Sequence, residues 1–122
     1  MSKRRVVVAH VDELAPGDVK IVPEGKFGVG VFNVGGEYFA LTNYCPHRGA
    51  PLCRGKVTGM TEATGPYECA WVREGEILRC PWHGWEFAIK SGTTVTEPKR
   101  QVKMYPVIVE GDTILLETGD VR

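Results

Sequence analysis

Two short motifs most constrain what this chain can fold into: Cys45-Pro46-His47 and Cys80-Pro81-Trp82-His83. Each offers one thiolate and one imidazole, and a glycine follows each (Gly49 and Gly84). Donors this close in sequence can present both atoms to one small volume. A fold that uses them must therefore bring the two loops together, although 32 residues (48 to 79) separate His47 from Cys80. Two sulfurs and two nitrogens fit a tetrahedral zinc, or a [2Fe–2S] cluster with both cysteines on one iron and both histidines on the other. Structural zinc sites usually draw cysteine pairs and histidine pairs from separate segments. Here each segment is mixed, which favours a cluster, because both loops then reach each iron. On spacing alone both metals stay open.

Composition narrows the classes. At 122 residues the chain reads as one domain, 1–122, with room for a single core. Its 15 basic and 15 acidic residues cancel, which argues against a nucleic-acid footprint or a broad membrane-surface field. Lys3-Arg4-Arg5 reads as a solvated basic tail. No apolar run approaches the ~18 residues of a membrane span. Val6-Val7-Val8-Ala9 is too short for the apolar part of an export signal and reads as a first strand, so a cytoplasmic location is expected. In that reducing compartment Cys53 and Cys69 are expected as thiols rather than a disulfide. Cys53, just behind the first loop, has the character of a small buried apolar residue.

Along the chain the signals are those of short strands. Residues 6 to 10 are apolar and β-branched, ending at His10, which reads as a surface residue at a strand end. Pro16-Gly17 turns the chain, and 19 to 22 form a second strand. Phe27 to Val34 alternates, with Val29, Val31 and Phe27 expected on one face, and Gly35-Gly36 reads as a hairpin turn into 37 to 41. Residues 54 to 76 read as an insertion, a loop or small hairpin with Glu74-Gly75 between strands 67–72 and 76–79. Trp71 within it is expected to pack in the core. Trp85 to Ile89 alternates as a strand turned by Ser91-Gly92, and Thr94 to Glu97 leads on to Pro98. Gly111-Asp112 joins a closing hairpin of 101–110 and 113–117. Many short strands with glycine and proline turns imply an antiparallel β-sandwich or barrel.

The stretches Cys45-Pro46-His47-Arg48-Gly49-Ala50-Pro51-Leu52 and Cys80-Pro81-Trp82-His83-Gly84-Trp85-Glu86-Phe87 closely resemble the two cluster loops of Rieske-type ferredoxins and of the Rieske domains of ring-hydroxylating oxygenases. The resemblance runs from about Val7 to Leu116. It implies an all-β, Rieske-like antiparallel sandwich or barrel. A small cluster-binding subdomain of two loops would span about 42–92, with the insertion at about 54–76. It further implies one [2Fe–2S] cluster per chain, Cys45 and Cys80 on one iron, His47 and His83 on the other. Pro46, Gly49, Pro51, Pro81, Gly84 and Trp85 would support the loops, and Arg48 and Trp82 would rim a docking surface around the histidine edges. The implied function is a soluble one-electron carrier from a reductase to a terminal ring-hydroxylating oxygenase. No enzyme activity of its own is expected: in the oxygenases a large catalytic domain follows, whereas this chain ends six residues after Leu116. Two other readings stand beside it. One is a small electron-transfer subunit of a larger oxidoreductase such as assimilatory nitrite reductase, and the other is a zinc-bound structural or interaction module.

The sequence departs from the respiratory branch of that family. The positions of its extra disulfide are Ala50 and Trp82, and those of its Ser and Tyr hydroxyl donors are Trp85 and Phe87. Fewer donors to the cluster sulfurs stabilise the reduced state less. We predict a reduction potential near the low end of the Rieske range, on the order of −150 mV. Potentiometric titration checks this, and a clearly positive midpoint contradicts it.

Overall fold

The computed structural model describes residues 4–46, 49–65, 68–81, 85–95 and 100–118, with backbone alone at 60–65 and 68–74. Its strands are β1 (Arg4–His10), β2 (Val19–Val22), β3 (Val29–Val34), β4 (Glu37–Thr42), β5 (Lys56–Gly65), β6 (Glu68–Arg79), β7 (Glu86–Ala88), β8 (Thr93–Thr94), β9 (Met104–Tyr105), β10 (Val107–Glu110) and β11 (Thr113–Thr118). They form three antiparallel sheets, ordered β1-β11-β10, β2-β3-β4-β9 and β5-β6-β7-β8. Two short 3-10 turns, Val11–Glu13 and Leu52–Arg54, complete the described elements. The expected all-β, antiparallel architecture is what forms.

The layering follows from β3. All six of its residues are buried, so it is covered on both faces. Val29 and Val31 enter one core with Val8, Leu14, Ala40, Ile114 and Leu116. Phe32 and Val34 enter another with Leu41, Leu52, Leu78, Phe87 and Ile89. The middle sheet is thus a shared layer between the terminal sheet and the β5-β6-β7-β8 sheet. A strand buried on both sides reads as a near-continuous apolar run, which is why its alternation in sequence is only rough. Burying Val29, Val31 and Phe32 contributes about 1.5–3 kcal/mol each before the entropy of ordering them is set against it. Gly35 and Gly36 make the two-residue turn from Val34 to Glu37, as expected.

Four expectations are corrected. Arg4 and Arg5 are not a loose tail but the start of β1, where Arg4 pairs with Glu24 and Arg5 with Glu110 and Glu117. Such exposed pairs contribute at most about 1 kcal/mol each; the ladder to β11 holds the segment. Phe27 lies before β3 and is exposed, because positive φ at Gly28 turns the chain between them. Glu74-Gly75 is not a hairpin turn. β5 and β6 form one long ribbon whose register jumps from Thr58↔Ile77 to Met60↔Val72, so residues 73–76 bulge out of β6. The closing strand is also split at Pro106: β9 pairs with β4 and β10 with β11, since proline has no N–H to continue a ladder. Tyr67, residues 96–99 and the side chain of Trp71 lie outside the description.

The end of β3 depends on one buried amide. Asn33, 4% exposed, donates from Nδ2 to the Leu14 carbonyl, and its Oδ1 accepts from the Gly36 N–H, both at 2.8 Å. It therefore ties the strand, the hairpin turn and the Leu14 segment together. We expect Asn33→Ala to cost about 1–3 kcal/mol, because two backbone groups lose their partners. Denaturant unfolding measures it, and a loss below about 0.5 kcal/mol would contradict the assignment.

Candidate metal centre

The first motif sits in a loop that the end of β4 delivers and that is clamped where it begins and ends. Asn43, 9% exposed, accepts at Oδ1 from the Cys53 N–H at 2.8 Å, while its own N–H donates to the Gly28 carbonyl at 2.9 Å. Inside this clamp the Cys45 N–H donates to the Ala50 carbonyl at 2.9 Å, and the Gly49 N–H donates back to the Cys45 carbonyl at 2.7 Å. Gly49 holds φ +77°, in the left-handed region that favours glycine. Pro46 lies in the turn, half-buried, and the half-buried Pro51 is the residue before the Leu52–Arg54 turn.

The second motif leaves β6 directly. The Cys80 N–H donates to the Trp85 carbonyl at 2.7 Å. The two loops therefore close alike: a cysteine N–H reaches the carbonyl five residues on, with four residues between. Pro81 is exposed, and Trp85 is half-buried against the core beneath. What sets the loops side by side is Gly55. A Cβ there would lie 1.9 Å from the Arg79 carbonyl oxygen, so the return of the first loop crosses the backbone one residue before Cys80 at a distance no side chain permits. In sequence Gly55 reads merely as a breaker at the start of the insertion.

The geometry brings Cys45 and Cys80, 0% and 3% exposed, into one buried cluster. Neither is in a disulfide. Two cysteines brought into one buried cluster are a donor pair that suits a thiolate-binding metal. His47, His83, Arg48, Trp82 and Gly84 lie outside the described residues. Among the described residues, no three His, Cys, Asp or Glu side chains gather at one point.

Cys53 is a different kind of cysteine. It is fully buried, a thiol as expected, and its Sγ donates to the Leu41 carbonyl at 3.4 Å. Gly30 makes the space, since a Cβ there would stand 2.5 Å from that sulfur. Burial pushes the thiol up to about 12 from an ordinary 9.0, against the opposing pull of a Gly30 backbone hydrogen bond. A neutral sulfur this reluctant to ionise is a packing group, not a ligand or a nucleophile. The side chain of Cys69 lies outside the description. His10, half exposed, caps the first 3-10 turn: its Nδ1 accepts from the Asp12 N–H at 3.3 Å, and its own N–H donates to Glu13 at 2.8 Å.

A small all-β chain with two matched, thiol-bearing loops set against one sheet is a metal-loop domain. The model of the Rieske [2Fe-2S] domain family matches residues 4–106, and the chain belongs to that family, whose members carry a [2Fe–2S] cluster. It is 28% identical over 108 residues to the biphenyl dioxygenase ferredoxin subunit of Pseudomonas sp. (strain KKS102), covering 88% of this chain and 85% of that one. Its fold matches the ferredoxin of Sphingomonas yanoikuyae B1 with a TM-score of 0.70 at 25% identity, over 95% of this chain and 100% of the other. It also matches a Mycobacterium tuberculosis chain assigned as an NADH-dependent nitrite reductase small subunit. There the TM-score is 0.72 at 21% identity, over 99% and 100% of the two chains.

The raised thiol pKa of Cys53 has a consequence for stability. The folded state keeps its proton while the unfolded thiol loses it above 9.0, so this contribution is full below pH 9 and is lost as pH rises toward about 12. We expect the wild type to lose stability between pH 9 and 11 more steeply than Cys53→Ala. Denaturant midpoints across that range measure it, and parallel profiles would contradict it.

Proposed function

We propose that this chain is a cytoplasmic Rieske ferredoxin, a one-electron carrier between a reductase and a terminal oxygenase of the ring-hydroxylating kind, without catalysis of its own. The observation that carries the reading is the pair of buried, identically closed cysteine loops within a Rieske domain that fills residues 4–106. The likeness to a dioxygenase ferredoxin subunit over most of both chains supports the assignment of partners.

In this reading Cys45 and Cys80 hold one iron by their thiolates, and His47 and His83 hold the other by ring nitrogens. When bound, the cluster supplies a centre that takes up and returns a single electron. The chain's part is to keep that centre in one geometry. Both cysteines sit in close-packed core, their N–H groups are committed to loop closure, and Gly55 fixes one loop against the other. Ligands that cannot relax keep the structural cost of gaining an electron small. The prolines at 46, 51 and 81 would stiffen both loops, and Gly49 and Gly84 would let the backbone approach the bound cluster. Trp85 is half-buried against the core, and in this reading Arg48 and Trp82 would serve partner docking.

A second reading, a small subunit held within a larger reductase, draws on the full-length fold match to the Mycobacterium chain. Gel filtration separates the two: a carrier stays monomeric and exchanges partners, while a subunit stays bound in a complex.

Iron and acid-labile sulfide analysis with low-temperature electron paramagnetic resonance of the dithionite-reduced protein tests the assignment. Two irons per chain and the low average g-value of a mixed cysteine–histidine cluster are expected, with each single change Cys45→Ala, Cys80→Ala, His47→Ala or His83→Ala abolishing the signal. Stoichiometric zinc without iron, or the spectrum of four thiolate ligands, would falsify it.

A further inference from the structure

Beside the first loop, two hollows share Phe27 as a wall. One, of about 260 Å³, is bounded by Phe27, Tyr44, Pro46, Lys103 and Tyr105 among others. The other brings Lys26 and Arg54 to the same wall. Phe27 and Tyr44 are large aromatics left 44% and 39% exposed, and their rings lie against each other with centroids 4.3 Å apart. The patch is also part of the loop: Tyr44 immediately precedes Cys45, and a Cβ on Gly49 would stand 3.0 Å from the Tyr44 ring.

Among the described residues that line it, the charge has one sign. Lys26 Nζ lies 5.6 Å from the Phe27 ring centroid and Lys103 Nζ lies 5.0 Å from that of Tyr105. Lys26, Arg54 and Lys103 line the two hollows, and no carboxylate does. Among the described residues, none of the three is in an ion pair. In a chain of zero net charge this is a local positive field over exposed aromatic surface. Aromatic anchors with unpaired cations around them are the make-up of a protein-docking site, the rings supplying affinity and the charges steering encounter. The hollow is smaller than the roughly 300–1,000 Å³ of small-molecule sites, and so suits one inserted side chain.

We propose that this patch is where a redox partner docks, through an acidic protein segment that places an aromatic or apolar side chain in the hollow between Phe27 and Tyr105. The proposal rests on the carrier reading and adds which surface meets the partner and what chemistry that partner presents. Docking there puts the partner against Tyr44 and Pro46, the residues on either side of Cys45.

The test uses the cluster-loaded full chain and two fluorescein-labelled peptides, one with glutamates and one with lysines around a single tyrosine. By fluorescence anisotropy at low salt the acidic peptide binds and the basic one does not. Its affinity falls at least about tenfold in Phe27→Ser and in the double variant Lys26→Glu/Lys103→Glu. Saturating acidic peptide also slows the one-electron oxidation of dithionite-reduced protein by hexacyanoferrate(III), in the wild type alone. No binding, equal binding of both peptides, unchanged affinity in the variants, or binding that leaves the oxidation rate untouched each overturns the proposal. The variants lie on the surface and keep the wild-type resonance signal and potential. A preparation lacking iron defeats the carrier reading while the anisotropy result still stands on its own.

Discussion

The structure turns on bringing two cysteines, from distant parts of the chain, into one buried core cluster. Neither the apolar core around Cys45 and Cys80 nor the loops above it is sufficient alone. The core buries both cysteines, and the loops bring them to it from either side of the β5–β6 ribbon. Loop closure by the cysteines' own N–H groups leaves no slack in that arrangement, and the crossing at Gly55 sets the distance between the halves.

The three sheets divide the labour around that end. In the middle sheet β3 is buried on both faces and gives side chains to both cores. The terminal sheet completes one core, with Val8, Ile114 and Leu116. The third sheet takes the chain from the first loop at β5 and holds the second between β6 and β7, and it extends into the β5–β6 ribbon, whose outer part, 60–65 with 68–72, pairs with no further strand among the described residues.

Most of the strand plan was legible because it rests on local chemistry: β-branched runs, Gly35-Gly36 and Gly111-Asp112 at tight turns, and two short motifs rich in donors. What escaped depends on contacts distant in sequence. Asn33 and Asn43 look like ordinary loop or strand polar residues until their partners, Leu14 and Cys53, arrive from elsewhere. Gly55 looks like punctuation until β6 passes over it. Glu74-Gly75 carries a turn signal, yet the strand continues through it as a bulge because β5 pairs on both sides. Phe27 fits the alternation of its strand in sequence, but its exposure and its contact with Tyr44 belong to tertiary structure. Four of the predicted centre's residues, Cys45, Cys80, Gly49 and Trp85, are set by geometry that the motifs alone do not encode.

β1 and β11 pair from one end of the described chain to the other, with Arg4 opposite Thr118. Partners across an antiparallel ladder lie about 5 Å apart, so both ends leave from a single corner of the terminal sheet. A tether or fused domain attached at either end would pivot about that same corner. Swapping an N-terminal fusion for a C-terminal one would leave the molecule's reach, and the effective concentration of its loops at a linked protein, nearly the same.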